Sequence, residues 1–129
     1  MNGMNTDKGI QDPLTERILK SCFEIMATLG HGFAEVIYQR ALTLELLEAG
    51  IQVDREVRFP VVYKGQEIGI FVADLIAEGR VIIELKALDS ALLPAHFGQC
   101  LNYMRVSAIP VGLLINFGRP RLEWRRLSL

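Results

Sequence analysis

Several things are scarce in this sequence, and each scarcity narrows what the protein can be. Among its 129 residues are two cysteines, Cys22 and Cys100, and two histidines, His31 and His96. These four do not cluster at ligand spacing, which argues against a cysteine-based zinc site. Both cysteines fall in apolar helical patterns and read as reduced packing residues of a cytoplasmic protein; both histidines read as structural. No apolar run approaches the ~20 residues that span a membrane. The first dozen residues lack the basic start and apolar stretch of a secretory signal, so residues 1–11 are expected to be a flexible tail ahead of a single domain over 12–129. A dominant charge is missing too. The formal net charge of −1 argues against a protein that coats nucleic acid through bulk positive charge, yet leaves room for local phosphate contacts and metal-binding carboxylates. Internal repeats, low-complexity tracts and linkers are absent.

What is present is a chain that is 50% hydrophobic, enough to build one proper core. Asp12-Pro13 supplies an N-cap and a first-turn proline. Leu14, Ile18, Cys22, Ile25, Met26 and Leu29 then recur at helical steps up to Gly30. A second helix is predicted from Phe33 to Ala49. Its broad apolar row is Phe33, Val36, Ile37, Ala41, Leu44 and Leu47, and a second row runs Glu35, Tyr38, Leu42 and Leu46. Strands are predicted over Val53–Tyr63 and Glu67–Ala77, joined by a hairpin at Lys64-Gly65. On the second of these, Ile70, Val72, Asp74 and Ile76 share a face by alternation. A third helix runs from Pro94 to Val106, with His96, Gln99 and Tyr103 in one stripe. An internal strand over Pro110–Phe117 and an edge strand over Arg121–Leu127 follow. The order α-α-β-β-β-α-β-β indicates an α/β or α+β fold, a mixed sheet flanked by helices.

The stretch that carries chemistry is Val81-Ile82-Ile83-Glu84-Leu85-Lys86-Ala87. Its apolar residues mark a central strand buried on both faces, yet Glu84 and Lys86 interrupt it on the same face as Ile82. A buried carboxylate and ammonium are costly unless paired, hydrogen-bonded or bound to a metal. Asp74 is the other carboxylate set among apolar neighbours. It faces Glu84 only if paired residue numbers sum to 158, which needs an odd-length connection or a bulge; a two-residue Glu78-Gly79 loop pairs it with Ile83 instead. If the register is right, two carboxylates converge beside an ammonium. A divalent cation relieves their repulsion, and oxygen-only ligands suit Mg²⁺ or Mn²⁺. Glu35 could join from its helix, or merely complement the helix dipole. The competing reading of Asp74, Glu84 and Lys86 is a cross-strand salt bridge. The arginines at 119, 121, 125 and 126 read as a solvated edge, with Glu123 among them, or as a phosphate-binding rim.

These residues resemble a known family. Gly32-Phe33-Ala34-Glu35-Val36-Ile37-Tyr38 is similar to the signature of the GxxExxY proteins. The likeness continues through Val62-Tyr63-Lys64-Gly65, Ala73-Asp74-Leu75, Ile83-Glu84-Leu85-Lys86-Ala87 and Gly112-Leu113-Leu114-Ile115-Asn116-Phe117, covering the chain after about residue 12. That family resembles the PD-(D/E)XK nucleases, which have a restriction-endonuclease-like core of α-β-β-β-α-β. The resemblance implies a metal-dependent nuclease acting on DNA, with Glu35, Asp74, Glu84 and Lys86 catalytic and Asp74, Glu84 and Glu35 as ligands of Mg²⁺ or Mn²⁺. Gln99 through Tyr103 looks like the Gln-x-x-x-Tyr motif of the RecB-like branch. Gln99, Tyr103 and Tyr38 are then the expected substrate-binding residues. Ala73 departs from the proline of the superfamily name, and His31 stands where many members carry proline. Two other readings stay open: a non-catalytic nucleic-acid- or protein-binding module on the same fold, and an RNA nuclease. At this size specificity would come from a protein partner, a homodimer or unusual substrate structure; no membrane is expected.

Overall fold

The structure, a computed structural model, describes residues 5–6 and 12–129; the tail expected over 1–11 otherwise lies outside the described residues. A two-residue strand β1 (Asn5–Thr6) comes first, followed by α1 (Pro13–Leu29), α2 (Glu35–Glu48), β2 (Val53–Tyr63), β3 (Gln66–Ala77) and β4 (Val81–Lys86). The chain ends with α3 (Pro94–Ser107), β5 (Val111–Asn116) and β6 (Glu123–Ser128). From Pro13 onward this is the order read from the sequence. The strands make one sheet in the order β1-β6-β5-β4-β3-β2. β4 and β5 are parallel, joined through α3, and the other neighbours are antiparallel. Arg121–Leu127 was expected at the edge, but β6 is flanked by β5 on one side and β1 on the other. No helix among the described residues is long and apolar enough to cross a membrane.

Two apolar clusters sandwich the sheet. Ile18, Cys22 and Ile25 of α1 join Tyr38, Leu42 and Leu46 of α2 over Leu75, Ile83, Leu85, Leu113 and Ile115. On the other face Cys100, Leu101 and Met104 of α3 pack on Phe71, Ile76, Ile82 and Leu127. Asp12 caps α1 as expected: its carboxylate accepts from the Leu14 N–H at 3.1 Å and the Thr15 hydroxyl at 2.8 Å. α2 ends in a Schellman turn, with the Ile51 N–H on the Leu46 carbonyl at 2.9 Å and the Gly50 N–H on Leu47 at 3.0 Å.

The sequence leaves two apolar rows on α2, and the structure decides which of them faces the core. The row from Phe33 to Leu47 lies largely outside, with Leu44 65% exposed, while Tyr38, Leu42 and Leu46 are fully buried. Both rows are apolar, so composition does not choose between them. The choice is made at the helix ends: Tyr38 stacks on Phe117 at 4.3 Å between ring centroids, and Leu46 shares the core with Ile51 beyond the Schellman turn.

The shared face of Ile70, Val72, Asp74 and Ile76 is also corrected. Phe71 and Ala73 face α3, but so does Ile76, whereas Leu75 and Ala77 face α1 and α2. The alternation breaks at the rung where Glu56 would pair with Asp74. That rung is missing from a ladder otherwise in register on both sides (Arg55↔Leu75, Val57↔Ala73). Glu56 has φ +51° there, a left-handed conformation that twists the ribbon as a bulge does. Asp74 therefore sits at a pivot, not in a regular strand.

The crossover leaving β4 is pinned to the end of β5. Buried Asn116 accepts from the Leu88 N–H at 2.9 Å and the Gly118 N–H at 3.0 Å, and its amide donates to the Ser90 carbonyl at 3.1 Å. Gly118 lies so close that a Cβ there would come within 2.2 Å of the Leu88 carbonyl oxygen and 2.5 Å of the Ala87 carbonyl carbon. Since that neighbour is backbone, Gly118→Ala must move the loop and is expected to cost about 1–3 kcal/mol. Denaturant unfolding checks this; a variant as stable as wild type would show that the loop is not held there.

Candidate active site

Central strand β4 places the chemistry. Val81–Leu85 are buried, Glu84 at 7% exposure, and Ile83 and Leu85 face α1 and α2. Alternation sends Glu84 and Lys86 toward α3. The β3–β4 register is Leu75↔Ile83, Ile76↔Ile82 and Ala77↔Val81, all summing to 158, because Glu78, Gly79 and Arg80 make a three-residue connection. Asp74 is thereby set opposite Glu84.

The regular ladder stops one rung short of that pair, where β3 and β4 diverge. Their side chains replace it: the Asp74 N–H donates to Glu84 Oε2 at 3.1 Å, and the Leu85 N–H donates to Asp74 Oδ2 at 2.8 Å. Each carboxylate thus satisfies a backbone donor on the opposite strand. The Asp74 carbonyl, without its β2 rung, accepts from Gln39 Nε2 of α2 at 3.3 Å. Gln39, 7% exposed, was missed by the sequence reading; its one signal was a position one turn after Glu35.

Electrostatics at the fork oppose full ionisation. Glu84 is pushed up to about 8, first by burial, then by the Asp74 carboxylate and more weakly by Glu35, while the Asp74 N–H and Lys86 pull the other way. Asp74 is raised by burial and by Glu56, against the Leu85 N–H and Lys86. Lys86 belongs to neither ion pair found among the described residues, Arg119–Glu123 and Arg126–Asp12. The simple cross-strand salt bridge is therefore not formed.

The remaining expected residues divide by position. Glu35 is exposed at the start of α2 and, with Val36, Gln39, Glu56, Val72, Asp74 and Leu85, lines a cleft of about 390 Å³. Tyr103 and Gln99 approach from α3. The Tyr103 phenol is raised by burial, then by Glu84 and Asp74, and a hydrogen bond from the Gln99 side chain works against this. Tyr103 also stacks on Phe71 at 4.1 Å, and Phe71 on Phe59 at 5.0 Å. Tyr38 is the correction. It is fully buried, its hydroxyl donating to the Gly30 carbonyl at 2.7 Å and accepting from the Phe33 N–H at 3.2 Å. It shapes the turn before Glu35 and is not exposed to a substrate.

Among the described residues, no three or more His, Cys, Asp or Glu side chains converge on a metal-sized space; Glu35 does not close up with Asp74 and Glu84 as a third ligand. The two-carboxylate set still fits a hard divalent cation that keeps several of its own waters. A cation is also what a pair with one proton held up to about 8 calls for.

Residues 12–127 match the PD-(D/E)XK nuclease superfamily. The chain belongs to that superfamily. No curated protein matches it. Among solved structures, the PD-(D/E)XK chain is similar to the protein named SSO0001, with a TM-score of 0.53 and 19% identity, over 88% of this chain and 56% of that one. Such a likeness bears on the fold alone, and this chain spans little more than half the length of that protein.

A pH dependence follows. In the folded, metal-free protein Glu84 holds its proton up to about 8, but from its ordinary value of 4.5 in the unfolded chain. Between those values the folded state binds more protons, so stability falls as pH rises through the window. Raised Asp74 adds in the same direction. Thermal melts in EDTA should show this fall in wild type and a clearly flatter profile in Glu84→Gln. Equal slopes in the two proteins would contradict the assignment.

Proposed function

We propose that this chain is a metal-dependent nuclease that hydrolyses phosphodiester bonds, with DNA as the substrate the family resemblance favours. The observation that carries the proposal is the fork at which Asp74 and Glu84 converge beside Lys86. In this reading Ala73-Asp74 and Glu84-Leu85-Lys86 stand at the positions that give the superfamily its name. Asp74 and Glu84 would hold Mg²⁺ or Mn²⁺. A bound divalent cation supplies Lewis acidity at the scissile phosphate and lowers the pKa of water.

The protein's own groups do the rest. Glu35, across the cleft from Asp74, accepts a hydrogen bond from the attacking water and orients it. The Lys86 ammonium offsets the negative charge that grows on the phosphoryl oxygens. The Tyr103 hydroxyl, aligned by its stack on Phe71 and by Gln99, donates to a phosphate oxygen. Hydrolysis adds water across one P–O bond: the attacking oxygen gives up a proton and the leaving oxygen takes one. Within the superfamily we read the chain as a GxxExxY protein of the RecB-like branch. Support comes from Gly32, Glu35 and Tyr38 lying in one turn-and-helix unit, with the Gly32 N–H held by the Phe117 carbonyl at 3.2 Å, and from Gln99 and Tyr103 standing one turn apart on α3. Its buried, unpaired thiols suit the cytoplasm. Specificity would come from substrate structure, a second copy or a protein partner.

A cleavage panel of single- and double-stranded DNA, flaps and RNA tests the proposal, run with Mg²⁺, with Mn²⁺ and in EDTA. Wild type should cut DNA only with metal. Lys86→Ala should lose about 10²–10³-fold in rate yet keep the stabilisation by metal, which is about 1.4 kcal/mol at ten times the Kd. Glu84→Gln should lose both. No cleavage of any substrate, with melts indifferent to metal, would leave a non-catalytic module; cleavage of RNA alone would reassign the substrate.

A further inference from the structure

Among the residues that α2 buries, Tyr38, Gln39, Leu42 and Leu46, Gln39 alone turns a polar group onto Asp74. It is 7% exposed. A carboxamide taken out of water is costly unless it is hydrogen-bonded, so its place beside Leu42 and Leu46 calls for a physical reason. Its Nε2 donates to the Asp74 carbonyl at 3.3 Å. The same side chain lines the cleft shared by Glu35 and Asp74.

Asp74 is the residue at which β3 loses both of its neighbours. The rung to Glu56 of β2 is missing, and the ladder to β4 ends at Leu75↔Ile83. Its backbone N–H goes instead to Glu84 Oε2 at 3.1 Å, and its carboxylate accepts from the Leu85 N–H at 2.8 Å. Both of these bonds lie inside the fork. The bond from Gln39 is the one that comes from outside it, from a helix anchored in the core by Tyr38, Leu42 and Leu46. Glu35 stands one helical turn before Gln39, so this amide also ties together the two elements that carry acids to the cleft.

We propose that Gln39 is a positioning residue for the acid pair: by holding the Asp74 peptide it keeps the Asp74 carboxylate on the Leu85 N–H, and it strengthens cation binding through Asp74 without touching the cation. The cation is taken from the nuclease reading; the hold on Asp74 does not need it. Removing an outer partner of a metal-binding side chain typically weakens the metal about 10–100-fold, and Gln39 has the geometry of such a partner.

Two measurements on the full chain test this, amide hydrogen exchange in EDTA and calorimetric titration with Mn²⁺ alone. Gln39→Met keeps the length of the side chain and loses the donor; Gln39→Glu keeps the shape and puts an acceptor in its place. In both, exchange at the Asp74 and Leu85 N–H groups should rise about ten-fold or more while Leu113 and Ile115 of β5 keep their protection, since opening at the fork is local. Mn²⁺ should bind Gln39→Met about ten-fold or more weakly than wild type. Unchanged exchange at Leu85, or an equal rise across β4 and β5, would overturn the inference, the second by showing that Gln39 serves only general stability. Wild type that takes up no Mn²⁺, with variants that open locally at Asp74 and Leu85, would sink the nuclease reading and leave the hold on Asp74 standing. Wild type that binds Mn²⁺, with a Gln39→Met variant that binds it as tightly, would do the reverse.

Discussion

Two hydrogen bonds that cross at the β3–β4 fork organise the rest of this molecule. The Asp74 and Glu84 carboxylates each accept from a backbone N–H of the other strand, doing the work of ladder bonds where the strands part. The arrangement brings together two acids that repel each other, in a site where burial already opposes their charge. Both carboxylates are hydrogen-bonded, which offsets part of that cost.

Those elements act by closing backbone accounts. At the pivot the β2 rung to Asp74 is missing, so its carbonyl turns to Gln39, tying α2 to β3 where Glu35 overlooks the cleft. Tyr38, one turn after Glu35, locks the preceding loop through Gly30 and Phe33. Asn116 and Glu123 fix the chain leaving Lys86. Buried Gln39, Tyr38 and Asn116, with half-buried Glu123, thus hold the site's backbone in place.

Much of this was legible in the sequence, for reasons that can be named. Asp12-Pro13, the helical periodicities and the apolar run of β4 specify elements through local physics, and the element order followed from them. The odd-length turn at Glu78-Gly79-Arg80 was recognised as a condition but could not be chosen, since two- and three-residue turns accept the same residues. The sequence did not decide where two local patterns compete. α2 has two apolar rows, and only its tertiary contacts select Tyr38, Leu42 and Leu46. Glu56 gives no sign of its left-handed φ, so the reversal of faces at Asp74 was invisible. Arg126 and Glu123 look like surface charges until Asp12 at the start of α1 and the loop at Leu92 supply their partners. Tyr38 was expected at the substrate because of the resemblance; its buried hydroxyl is engaged by Gly30 and Phe33 instead, which spacing alone does not reveal.

The central proposal is that the Asp74–Glu84 pair, whose ionisation burial opposes, would be relieved by a divalent cation. The most direct measurement is the titration of the Glu84 side-chain carboxyl carbon by NMR, in EDTA and again with saturating Mg²⁺. The account predicts a midpoint near the value of about 8 in the metal-free protein and a carboxylate that stays ionised well below neutral pH once the cation is present. A Glu84 that titrates near its ordinary 4.5 in both conditions would contradict it.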